Sequence, residues 1–268
     1  MQENKEMQEV KEVTIISLFA GRKYCLETYF NCLKLLNYPK NQISLIWVTN
    51  TQDESFVKTL SEKKEKLIEY NSIKLIHITD RPPQDYAFKE NSTLTEVETG
   101  QKHATIITDL YNLAWGHNLD EYVMFLEDDA ICHPDTLIRF LEITDKDDKI
   151  GYVTSSYKCR HTNQISPSFA QRLYTDKDNW VFAQFESNIE YDDVRDIDLS
   201  GWVCCMVRKS IVDRLPKPTF KMNGIVKEAS ILLGPDVVFT GELRGFGYRN
   251  VCDFGLRTGH LDSKCYIH

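Results

Sequence analysis

Residues 127–129 read Glu-Asp-Asp, at the end of the apolar run "EYVMFL" and just before "AICHP". Three adjacent carboxylates repel one another, so a chain that groups them either leaves them in water or sets them against a cation. Hard divalent ions such as Mg2+ and Mn2+ take oxygen ligands, commonly one or two carboxylates together with substrate phosphates. An ion shared between such a carboxylate and a diphosphate would offset the repulsion and stabilise a departing diphosphate as charge develops on it. A solvated acidic turn would account for the same residues without any chemistry. On an extended strand alternate side chains face opposite ways, which predicts Glu127 and Asp129 on one face and Asp128 on the other. An acid exposed at a strand end would cost little stability to remove, typically within about 0.5 kcal/mol.

Other residues could take part. Asp236 follows Gly234-Pro235 and precedes "VVFTGELR", where a negative charge suits the first turn of a helix. A carboxylate kept ionised there could also accept a proton from a hydroxyl. Arg22 leaves the first apolar run and could reach phosphates or exit to solvent; Lys102 and Arg257 are candidates of the same kind. His133 competes as a ligand beside the acids, although Pro134 places it in a turn. Trp202, next to Gly201, is either a platform for a sugar face or part of the core. Neither G-x-x-x-x-G-K-[ST] nor, after the first strand, G-x-G-x-x-G occurs, so phosphate binding would rest on a metal or on basic side chains.

The elements that must position these residues follow from periodicity. "VTIISLFA" (13–20) and "ISLIWVTN" (43–50) are continuous apolar runs, the pattern of strands buried on both faces. Helices are predicted after each, the second over 54–70 with a charged outer face. A third strand is predicted at 73–80, a loop or lid at 81–100, a helix at 103–117, a fourth strand at 121–129 and a helix at 135–144. Beyond that the regularity decays, with an irregular stretch over 160–180, a strand-then-helix at "IDLSGWVCCMVRKSIVDRL", a short helix at "GPDVVFTGELRGFG" and a last strand at "YRNVCDFGLRTGH". Strand–helix alternation implies an α/β fold with a mostly parallel sheet flanked by helices. Ligands of such sheets bind at the carboxyl ends of the strands. Residues 17–22, Thr49, Asn50, Asp80 and residues 127–129 would all lie on that rim.

Taken in order and spacing, "VTIISLFAGRKYCLETYFNCLKLL", "ISLIWVTNTQDES" and "NLAWGHNLDEYVMFLEDDA" resemble the nucleotide-binding half of GT-A-fold glycosyltransferases, particularly those of family 2. The Glu-Asp-Asp stands where that family has D-x-D. "LSGWVCCMVRKSIVDRL", "GPDVVFTGELRGFGYRNVCD" and "RTGHLD" are similar to its acceptor-side segment, its catalytic-base segment and its C-terminal histidine segment. The resemblance implies a Rossmann-like GT-A fold with a mixed C-terminal acceptor-side half. It implies Mn2+ or Mg2+ held by Asp129 and His260, and a UDP- or GDP-sugar donor among Ser17, Arg22, Asn50, Lys102, Asn112, Glu127 and Asp128. Gly201 and Trp202 would face the acceptor, and Asp236 would deprotonate its hydroxyl in an inverting transfer. A retaining transferase, a nucleotidyltransferase and a non-catalytic carbohydrate-binding protein are the alternatives. The acceptor is left open among a glycan, a lipid-linked saccharide, a protein and a modified DNA base.

Bulk properties agree. The chain has 268 residues, 42% of them hydrophobic and 11% aromatic, enough for one large core. We expect a flexible leader over 1–12, then one domain over 13–268 with a nucleotide-binding half (13–130) and an acceptor-binding half (131–268). A formal charge of −8 disfavours a general nucleic-acid or anionic-membrane surface. No apolar run approaches the ~20 residues of a membrane span, and the polar N-terminus resembles no targeting peptide. The eight cysteines form no C-x-x-C pair and are expected to be reduced, in keeping with a cytoplasmic location.

Overall fold

A computed structural model describes residues 10–80, 96–157, 172–176, 179–183, 193–222, 225–226, 231–232 and 234–261. The first half alternates as expected: β1 (Val13–Phe19), α1 (Lys23–Leu35), β2 (Ile43–Thr49), α2 (Glu54–Lys66), β3 (Ser72–His77), α3 (Glu96–Trp115) and β4 (Tyr122–Leu126). Then come β5 (Ala130–Ile131), α4 (Thr136–Asp145), β6 (Ile150–Tyr157), a hairpin of β7 (Arg172–Asp176) and β8 (Asn179–Ala183), β9 (Val194–Ile197), β10 (Cys204–Arg208) and α5 (Lys209–Val212). A two-stranded β11 (Ile225–Val226) and β12 (Ile231–Leu232), α6 (Pro235–Gly245) and β13 (Arg249–His260) complete the order. Of the loop expected at 81–100, residues 81–95 lie outside the described residues, as does most of the proposed leader, and residues 96–100 are instead the first turns of α3. Lys11 does not belong to a free leader, since its Nζ donates to the Tyr122 hydroxyl at 2.8 Å.

The main sheet has the order β3-β2-β1-β4-β10-β6-β13-β5, with β9 paired to β13. β1, β2, β3 and β4 are parallel neighbours, and β6 is parallel to β13. β10 runs antiparallel to both β4 and β6, so those two strands point the same way. Six strands therefore present their carboxyl ends to one rim, and β10 presents its amino end there.

Burial on both sides explains the unbroken apolar runs. On β4, Met124 and Leu126 pack with Tyr29, Phe30 and Leu33 of α1 and with Phe140 of α4, whereas Val123 and Phe125 pack with Leu110 and Tyr111 of α3 and Phe239 of α6. The period of two thus divides the core into two layers. β3 is the sheet edge, and its residues are only partly covered or exposed.

Candidate functional site

The acidic residues do not continue the strand. β4 ends at Leu126, and Asp128 and Asp129 form a turn before β5. Backbone bonds pin that turn on three sides: Glu127 N–H to Val203 at 3.0 Å, Ala130 N–H to Glu127 at 3.1 Å, and Leu261 N–H to Asp129 at 2.8 Å. Strand alternation therefore does not set the side-chain directions. Nor are the acids exposed, for Asp128 and Asp129 are each 1% accessible. A buried carboxylate without a partner would be costly, and both find the same cation. Arg22 forms salt bridges to Asp128 and Asp129 through its two terminal nitrogens.

Arg22 is delivered by a local sacrifice. It occupies the N-cap position of α1 and makes no side-chain cap, a position where Ser, Thr, Asp or Asn would normally satisfy the first-turn N–H groups. The preceding Gly21 has φ +82°, and a Cβ there would stand 2.7 Å from Thr51 Oγ1. Only glycine makes this turn comfortably. Burial opposes the charge on Arg22, but Asp128, Asp129 and Glu127 hold its pKa above the usual value. For Asp128, burial outweighs the attraction of Arg22 and, with the charge of Asp129, raises its pKa to about 6.

His260 enters from the last strand. β13 pairs with β6 until Asp253 faces Ser155, then resumes with Arg257 facing Ser156. Four steps on one strand match one step on the other, a bulge of the kind that redirects side chains near functional sites. β13 then pairs with β5, His260 opposite Ala130. The imidazole Nε2 lies 3.4 Å from Glu127 Oε2 and 3.6 Å from Asp129 Oδ1. Burial would lower the His260 pKa, but hydrogen bonds and charges from Asp129 and Glu127 raise it to about 9. Glu127, Asp129 and His260 each offer one ligand atom, all within 4.8 Å of one another. Two carboxylate oxygens and one imidazole nitrogen suit a divalent ion, and the nitrogen favours Mn2+ over Mg2+.

Asp236 lies in the first turn of α6, where its Oδ1 accepts the Val237 N–H at 2.9 Å. Burial raises its pKa to about 6; that N–H bond opposes the shift and the charge of Glu127 adds to it. Its Oδ2 lies 3.1 Å from where a Cβ on Gly201 would stand, and the Tyr157 hydroxyl lies 2.4 Å from the same point. Glycine is needed at 201 because two side-chain oxygens converge on it. Tyr157 Oη also accepts the Gly201 N–H at 3.1 Å, and its ring meets His260 edge-on at 6.0 Å between centroids. Tyr157 thus joins the Asp236 side of the site to the His260 side. Its position at the carboxyl end of "IGYVTSSY" was the available signal in the sequence, and it was not singled out there.

The remaining expected residues fall differently. Asn50 ends β2 at the rim and is buried. The Ser17 hydroxyl is buried against the Tyr29 hydroxyl at 2.7 Å, on the α1 face rather than at the rim. Trp202 is 3% exposed and packs among Tyr111, Phe125, Phe220 and Phe239, so its ring serves the core. Asn112 is spent on structure, bonding the Phe220 N–H and carbonyl at 3.0 and 2.8 Å. Lys102 and Arg257 are exposed. His133 is exposed too, and its Nδ1 accepts the Asp135 N–H at 3.2 Å. A separate cavity of about 910 Å3 lies between α3 and the 217–222 segment, and no member of the acid–histidine cluster lines it.

A mixed sheet of mostly parallel strands, flanked by helices and carrying an acid turn at its rim, is the architecture of GT-A glycosyltransferases. The Anp1 family model matches residues 1–207, and the chain belongs to this mannosyltransferase-related family. Solved structures that share the fold include two glycosyltransferase-type chains. One is the mannosyltransferase PcManGT from Pyrobaculum calidifontis in complex with GDP-Man and Mn2+, with TM-score 0.58 and 15% identity, covering 95% of this chain and 58% of its own. The other is S. aureus TarS 1–349, with TM-score 0.50 and 13% identity, covering 91% of this chain and 57% of its own. The chain therefore matches less than two thirds of the length of either. No curated protein matches it by sequence.

Proposed function

We propose that the protein transfers a sugar from a nucleotide-diphosphate sugar to an acceptor hydroxyl, with metal assistance and inversion at the anomeric carbon. The observation that carries this is the convergence of Glu127, Asp129 and His260 on a rim that Asp236 and Gly201 also border. Asp129, His260 and Glu127 would hold the divalent ion, which when bound neutralises charge on the diphosphate leaving group. Arg22, already at the carboxylates, is within reach of the same phosphates, and Asn50 borders the nucleotide end of the rim.

Asp236 would accept the proton of the acceptor hydroxyl as that oxygen attacks the sugar. With a pKa near 6 it is largely ionised at neutral pH yet basic enough to take a proton, the compromise general-base catalysis calls for. Gly201 keeps the approach to its Oδ2 clear. The family membership and the GDP-Man and Mn2+ of PcManGT support GDP-mannose as the first donor to try.

The test is calorimetric titration of GDP-mannose and UDP-sugars into the protein, with Mn2+, with Mg2+ and with a chelator. Metal-dependent binding of one donor, followed by hydrolysis or transfer, is expected. Donor binding that ignores the chelator would overturn the metal assignment. A transfer product that retains the anomeric configuration would remove Asp236 as the base.

A further inference from the structure

Behind the acid turn, on the α1 face of the sheet, three buried thiols converge that take no part in the chemistry above. Cys32 of α1 and Cys132, just beyond β5, are 100 positions apart in sequence, yet their Sγ atoms lie 3.3 Å apart. The backbone N–H of Cys132 donates to Cys32 Sγ at 3.0 Å. The thiol of Cys132 also bonds that of Cys204. Such an arrangement is not needed for packing, since a thiol in a core serves equally well as an isolated small hydrophobe.

The contacts make the two sulfurs unequal. Hydrogen bonds from the Cys132 side favour negative charge on Cys32 and lower its pKa against the effect of burial. Cys132 shifts the other way, raised by its bonds to Cys204 and Cys32 and by burial. A thiol shifted toward its ionised form beside one shifted the other way matches the division of labour between an attacking and a resolving cysteine.

We propose that Cys32 and Cys132 are a reversible dithiol–disulfide pair that responds to hydrogen peroxide. The Cys32 thiolate attacks one peroxide oxygen and the O–O bond breaks, giving a sulfenic acid on Cys32 and a hydroxide that is protonated to water. The sulfur of Cys132, losing its proton, then attacks the Cys32 sulfur. The S–O bond breaks and the oxygen leaves as a second water. Two thiols are oxidised to one disulfide and one peroxide is reduced to two waters. With Cys32 5% and Cys132 6% exposed, the reaction is slow and is restricted to oxidants of about the size of water. The bond would fasten α1 to the segment that follows β5, the strand paired with β13 at His260.

The folded full chain would be treated with hydrogen peroxide, its free thiols alkylated in denaturant, and the digest mapped without reduction by mass spectrometry. A peptide linking Cys32 to Cys132 is expected, abolished by dithiothreitol. In Cys132→Ser, dimedone should label Cys32 as a trapped sulfenic acid. Recovery of both cysteines as free thiols after peroxide treatment, or as sulfinic acids, would overturn the proposal, as would a Cys132–Cys204 link in place of the expected one. Mapping of the natural chain decides the matter even if the serine variant does not fold.

Discussion

His260 Nε2 stands 3.4 Å from Oε2 of Glu127, 133 positions earlier in the chain. With its pKa raised to about 9, His260 is a cation at neutral pH in the metal-free protein. Together with Arg22 it sets two positive charges against the three carboxylates of residues 127–129. The repulsion evident in the sequence is thus largely compensated before any metal arrives.

The first prediction concerns pH. A histidine raised from 6.5 to about 9 adds stability to the metal-free fold that is fully present below about pH 6.5 and is lost as pH rises through about 9. Metal binding must expel that proton, so Mn2+ affinity should climb by up to about tenfold per pH unit between about pH 7 and 9. Calorimetry in two buffers of different ionisation enthalpy should show close to one proton released per metal near neutrality. His260→Ala should bind Mn2+ more weakly and release none. An affinity independent of pH would remove His260 from the metal shell.

Arg22→Ala should leave two buried carboxylates facing each other. Removing one partner of a buried pair costs about 3–5 kcal/mol, and Arg22 is the direct partner of both Asp128 and Asp129. Urea unfolding should show a loss of that order, partly recovered by millimolar Mn2+, because the ion supplies the missing positive charge. An unchanged urea midpoint would mean that the arginine contributes no net stability.

Asp236→Asn should keep the Val237 N–H bond but cannot accept a proton. Turnover should fall by about 10²-fold or more, in kcat rather than KM. For the natural chain the rate should rise with pH through about 6, as the carboxyl group ionises, and the variant should lack that limb. The substitution should not destabilise the protein at pH 8, because a carboxylate whose folded pKa is raised weakens the fold once it is ionised. A kcat within a few-fold of the original would defeat the inverting mechanism.

Gly201→Ala places a methyl group 2.4 Å from the Tyr157 hydroxyl and 3.1 Å from Asp236 Oδ2. The buried phenol cannot swing aside, so we expect about 1–3 kcal/mol of overpacking cost and loss of transfer. Adding Tyr157→Phe removes the nearer clash and should restore much of the stability. A double variant no more stable than Gly201→Ala alone would show that the strain lies elsewhere.

The strand–helix alternation of the first half was legible because β1, β2 and β4 are buried on both faces and each helix carries its own period. The second half was obscure because its strands pair with partners distant in sequence: β10 with β4, and β13 with β6, β9 and β5. The rim position of Arg22, Asn50 and the acids followed from topology alone. Burial of Asp128 and Asp129 did not, since it depends on Val203 and Leu261 folding over the turn. The directions of Ser17 and Trp202 were not legible for a simpler reason. A serine or tryptophan near a rim can face either way, and local sequence does not say which. Tyr157 went unremarked because its partners, Gly201 and His260, arrive from other parts of the chain.

The antiparallel strand between β4 and β6 has a consequence for how the chain must be made. Until residues 204–208 emerge, β4 has no neighbour on one side, and its apolar residues border an open edge able to pair with another molecule. The halves 13–130 and 131–268 are therefore poor candidates for separate expression, since each would lack the strand that seals the other. Closure waits on a pairing some eighty residues away, a long-range step of the kind that slows folding and lengthens exposure to aggregation. A fragment ending near residue 130 should be recovered as insoluble material, and supplying the remainder of the chain during refolding should rescue it.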